Sequence, residues 1–144
     1  MSNPLRKMYE TSDTVEKEGI IIEYAPGVEL RVARAGGSNK RFTKEMARLC
    51  KPYRRAIQTE TINEEILTMI FQKAYARTVI LGWKGFTKDI ITKNDDDADI
   101  ELPFNEENCM AVLAAQQNLF QDIVKTADNI SLFRAEINEV DSGN

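Results

Sequence analysis

The chain has 144 residues, 42% of them hydrophobic and 29% charged, which suits one domain with a single core and leaves little room for a second. It contains no histidine, and that removes Ser-His and Cys-His nucleophile pairs as well as imidazole metal sites. Cys50 and Cys109 form no CxxC pair, so neither a zinc site nor a dithiol redox motif is available and both read as small core fillers. No segment approaches the ~18 uninterrupted apolar residues of a membrane span, so the expectation is a soluble protein of a reducing cytoplasm.

Residues 1–18 are polar, with Pro4 and scattered charges but no sustained periodicity, and read as a flexible arm. The domain is expected over 19–139. Its first element is a β-hairpin over 19–34, in which Ala25-Pro26-Gly27 supplies type II turn chemistry and Val28, Leu30 and Val32 alternate with Glu29 and Arg31. Gly36-Gly37 ends the ribbon, and Ser38 or Asn39 can cap a helical stretch over about 40–57, interrupted where Pro52 denies an amide to the preceding turn.

Thr61-Ile-Asn-Glu64 fits a capping box for a long helix over 62–81, with Gly82 placed as its left-handed stop. Residues 83–101 have the composition of a loop. Asn105 is positioned to cap a helix over 105–116, with Glu106 and Glu107 at its positive end. Asn118 can cap a last helix over 118–138, where Leu119, Phe120, Ile123, Val124, Ala127, Ile130, Phe133 and Ile137 recur at three and four residues. Residues 140–144 are expected to fray. The fold class is therefore mainly α with a short N-terminal β-hairpin, an α+β single domain.

Charge is unevenly distributed. Between Arg31 and Arg55 there are nine basic residues and one acid, a net of +8 that leaves −12 for the remainder. At helical spacing Lys40, Lys44, Arg48 and Lys51 line one edge, with Arg54 and Arg55 just beyond. Three readings stand: a solvated face neutralised by the protein's own acids, a docking surface for an acidic or self-assembly partner, or a nucleic-acid contact. The last lacks aromatics interleaved with the cations, and the acidic remainder repels phosphate. Trp83 and Phe86 read first as packing anchors of their loop and are carried with the six cations as candidate partner contacts.

Nothing in the sequence forms a catalytic, cofactor or metal set. Asp95, Asp96, Asp97 and Asp99 lack the alternating ligands, central glycine and closing glutamate of a calcium loop, and read as a solvated turn. Gly82 and Gly85 have no following Gly-Lys-Ser/Thr, so no phosphate loop is indicated. Glu64/Glu65 and Glu106/Glu107 sit where helix capping accounts for them.

The order of the short motifs resembles a family of small tail assembly chaperones of long-tailed bacteriophages. The motifs are Val32-Ala33-Arg34, Asn39 to Phe42, Lys51-Pro52-Tyr53-Arg54, Val79 to Phe86 with its Gly-Trp centre, Leu102-Pro103-Phe104-Asn105 with Asn108, and the Gly143-Asn144 end. Residues 92–101 depart from it, inserting aspartates where similar proteins tend to have a brief Asp-Gly turn. The resemblance implies a non-enzymatic protein of the host cytoplasm, absent from the finished virion. Such a protein coats the tape measure protein, keeps it soluble, and yields to tail tube protein as the tube polymerises. Weak self-association through opposite charged faces fits that role. A nucleic-acid-binding module and a small phage host-interaction protein are the alternatives from other classes.

Overall fold

Strands β1 (Ile20–Ala25) and β2 (Val28–Val32) pair antiparallel, Ile20 with Val32 and Ile22 with Leu30. Gly27 takes φ +78° at the tip, the positive angle that a type II turn demands. The computed structural model describes residues 3–134. Within them, helices and a three-stranded antiparallel sheet form one small α+β domain.

A third strand, not expected from the sequence, occupies residues read as the end of the long helix and the start of the loop. Helix α5 (Glu64–Thr78) stops three residues before the expected end, and β3 (Ile80–Lys84) follows, pairing Trp83 with Leu30 and Gly82 with Arg31. Gly82 is thus a strand residue rather than a helix stop. The apolar run Val79-Ile80-Leu81 suits either state, and the open edge of β2 decides it. The Ala33 amide donates to the Val79 carbonyl at 2.7 Å, which ties the end of α5 to the end of the hairpin.

Two further helices, α3 (Lys40–Cys50) and α4 (Arg54–Gln58), are joined by a 3-10 turn over Lys51–Tyr53, and α3 packs along α5. Phe42 meets Tyr75 edge to face at 5.6 Å and Tyr75 meets Phe120 at 5.3 Å, so one aromatic chain crosses α3, α5 and the last long helix. Leu30, Val32, Val79, Cys109, Leu113 and Ile123 complete the core. Helix α6 (Asp89–Thr92) is a single turn inside the expected loop, and α7 (Glu106–Ala115) begins at Asn105, whose side chain accepts the Asn108 amide at 2.7 Å.

Helix α8 spans Gln117–Asp128, shorter than the stripe suggested. The cap position is Gln116 rather than Asn118, and its side-chain amide donates to the Ile90 carbonyl at 2.9 Å. Asn129 leaves helical space, and its carboxamide oxygen accepts the Ser131 amide at 3.1 Å to open a single 3-10 turn over Ile130–Phe133. The expectations for Ile137 and for residues 140–144 lie outside the described residues. The capping box at Thr61 is also replaced: Asn63 caps α5 by accepting the Glu65 amide at 2.7 Å.

The residues read as a flexible arm form two short helices, α1 (Pro4–Tyr9) and α2 (Asp13–Glu18). Val15 packs with Ile20 and Phe133 in a second small core, and Glu16 is 1% exposed. Its carboxylate accepts from the Arg34 guanidinium at 2.8 Å, the Ser38 amide at 3.0 Å and the Thr11 hydroxyl. Among the described residues of this stretch Val15 is the one buried apolar side chain, Leu5, Met8 and Tyr9 being exposed, so polar anchoring holds it and no apolar periodicity announces it.

Candidate partner-binding face

From Lys40 onward the basic stretch lies on α3, the 3-10 turn and α4, while Arg31 sits in β2 and Arg34 pairs with Glu16. Lys40, Lys44, Arg48, Lys51, Arg54 and Arg55 are all exposed. Asn39 precedes α3, but its side chain does not cap the helix. It is buried and its amide donates to the carbonyls of Arg34 at 2.8 Å and Thr78 at 2.9 Å, fixing where α3 leaves the sheet.

The cations divide into two groups. Arg48 pairs with Glu45 at 2.5 Å, and Arg77 of α5 bridges Glu45 at 2.6 Å and Glu106 of α7 at 2.7 Å. The hydrogen bond from Arg48, joined by that from Arg77, lowers the Glu45 pKa to about 2 despite partial burial. Glu106 is lowered by Arg77 as well. Lys40, Lys44, Lys51, Arg54 and Arg55 have no carboxylate partner among the described residues. The sequence pattern placed the basic edge but missed the bridge through Arg77; the Glu45/Arg48 spacing of three was its one local signal.

Between α3 and α4 lies a groove of about 290 Å³ lined by Ala47, Cys50, Ile57 and Gln58, with Lys51 and Arg54 among its lining residues. Cys50 therefore differs from the core filler expected of it: it is half-buried and faces this groove, while Cys109 is buried and its thiol is pushed up to about 12 by desolvation. Not one residue from Lys40 to Gln58 is buried, although Phe42, Met46, Leu49, Tyr53 and Ile57 are among them. Further along α5, Met69 and Phe71 are exposed as well.

Trp83 and Phe86 are not brought to this face. Phe86 is buried, stacked on Trp83 at 4.4 Å with the rings 3° apart, and Phe104 abuts Trp83 edge to face at 5.0 Å. The Trp83 indole N–H is spent on the Leu102 carbonyl at 2.8 Å. That trio fastens β3 and Phe86 just beyond it to the residues before α7, an anchor role for both rings. The aspartate turn is a 3-10 turn over Asp95–Asp97, capped by Asn94 accepting the Asp96 amide at 3.0 Å.

Among the described residues no group of three His, Cys, Asp or Glu side chains is arranged to hold a metal ion, and no helix is long and apolar enough to cross a membrane. What the face offers is positive charge from Lys51 and Arg54 beside the half-buried Cys50 and Ile57 of the groove, the chemistry of a protein contact. No curated protein sequence and no solved structure matches the chain. A profile of the YdaY prophage proteins matches residues 37–144, beginning at the loop that launches α3 and taking in every element of the basic face. Because that match spans three quarters of the residues, the chain belongs to the YdaY prophage protein family and is a phage-related protein.

Proposed function

We propose that the protein is a tail assembly chaperone, a non-enzymatic factor that binds the tape measure protein in the host cytoplasm, yields it to tail tube protein, and is left out of the mature virion. The observation that carries this reading is the helical layer from Lys40 to Gln58, in which apolar side chains recur and none is buried. Half-buried apolar side chains such as Cys50 and Ile57, set beside the cations Lys51 and Arg54, form a surface that a partner's side chains can cover. Prophage membership and the ordered motifs from Val32 to Asn108 supply the biological setting.

Co-expression with a fragment of the tape measure protein tests it. The soluble fraction of the fragment rises and the two co-purify; unchanged solubility with no co-purification overturns the proposal. Fluorescence anisotropy with DNA and RNA separates the nucleic-acid alternative, for which binding would have to be submicromolar and survive physiological salt. The expected result is weak binding that salt abolishes.

A further inference from the structure

The same chain carries an apolar hollow with basic residues in its wall and an apolar knob in an acidic collar. The hollow is the α3/α4 groove, where Ala47, Cys50 and Ile57 supply the apolar wall and Lys51 and Arg54 the charge. The knob is Ile100, 46% exposed and flanked in sequence by exposed Asp99 and Glu101, directly after the aspartate turn. Two backbone bonds hold it out: the Ile100 amide donates to the Asp97 carbonyl at 3.2 Å, and its carbonyl accepts the Lys88 amide at 2.8 Å. An extended bridge between Thr87 and Glu101 fixes the next residue. The side chain is thus presented on an ordered backbone, and docking it costs little conformational entropy.

We infer that Ile100 of one copy seats in the α3/α4 groove of the next, with Asp99 and Glu101 meeting Lys51 and Arg54. Within one copy none of these four charges is in an ion pair among the described residues, so both halves of the contact are available to a neighbour. The groove, at about 290 Å³, has room for a branched aliphatic side chain. Two different surfaces meet, so the contact is heterologous and each added copy leaves a free knob at one end and a free groove at the other. The aspartate turn, otherwise without a role, becomes the collar that orients the knob. This deepens the coat reading by naming the surfaces through which copies would adjoin. It is independent of tape measure binding, which the co-expression experiment tests alone.

A charge swap tests the contact on the full-length chain. Weight-average mass from sedimentation or light scattering is followed against concentration at low and physiological salt for wild type, K51E/R54E, D99K/E101K and I100S. Wild type gains mass with concentration, and each variant lowers the association constant by at least about tenfold while circular dichroism is unchanged. Mixing K51E/R54E with D99K/E101K is the decisive arm. Each variant then offers the other a complementary knob and groove, so the mixture associates where neither component does alone. A wild-type chain that stays monomeric at every concentration, variants that match wild type, or a mixture no heavier than its components would each overturn the inference.

Discussion

The Arg34 guanidinium lies 2.8 Å from the Glu16 carboxylate, and this pair joins the amino-terminal helices to the loop from which α3 departs. The two partners are unequally covered, with side-chain exposures of 24% for Arg34 and 2% for Glu16. Burial alone would raise the Glu16 pKa, but hydrogen bonds from Thr11, Ser38 and Arg34 outweigh it and leave the group below its ordinary value of 4.5.

The asymmetry predicts unequal costs for breaking the pair. R34M strands a buried carboxylate and should destabilise by about 3 kcal/mol. E16Q leaves an arginine that can reach water and keeps one acceptor for the Ser38 amide, so it should cost about 1 kcal/mol. Urea unfolding midpoints at neutral pH make the comparison; equal costs would mean that the carboxylate is not the constrained partner.

Gly37 lies against the same pair. It has φ +54°, and a Cβ there would lie 1.9 Å from the Glu16 Oε2 and 2.6 Å from the Arg34 Nη1. Gly27 also has positive φ, at +78°, but nothing lies within 4 Å of its Cβ position. G27A should therefore cost only the conformational term of about 1 kcal/mol, and G37A about 3 kcal/mol because the ion pair must move as well. In an E16Q background the excess for G37A should shrink, a coupling that a double-mutant cycle reads directly.

The acid side of the stability profile should report Glu45. Its folded pKa is lowered to about 2 from an ordinary 4.5, so its contribution is complete above 4.5 and is lost as pH falls through about 2. E45Q should flatten that part of the curve relative to wild type, while both remain level near neutrality. Unfolding midpoints measured from pH 5 down to pH 2 provide the check, and parallel curves for the two proteins would remove Glu45 as the cause.

Much of the architecture was legible because it is local. The Pro26-Gly27 turn, the alternation of Leu30 and Val32, and the Asn105 cap each depend on neighbours within a few residues. What escaped depends on distant partners. Ile80–Lys84 becomes a strand because β2 has an open edge, and residues 3–18 are held because Glu16 reaches Arg34 and the Ser12 amide donates to the Phe133 carbonyl at 2.8 Å. At the partner-binding face the cations were readable from spacing, but the groove was not, since it forms where the chain turns at Pro52 and brings Ile57 near Ala47 and Cys50.

Trp83 supplies a final test, because its ring was a candidate partner contact and the fold uses it as an anchor. W83F keeps an aromatic ring against Phe86 but leaves the Leu102 carbonyl without its indole donor, at a cost of about 1 kcal/mol. W83A empties the space between Phe86 and Phe104 and should cost about 4 kcal/mol. Since the basic face does not include this ring, W83F should solubilise a tape measure fragment as well as wild type does. Trp83 is also the chain's one tryptophan, so its emission maximum reports on its surroundings and should hold steady when that fragment binds. A W83F chain with intact circular dichroism that no longer solubilises the fragment would place β3 within the binding face.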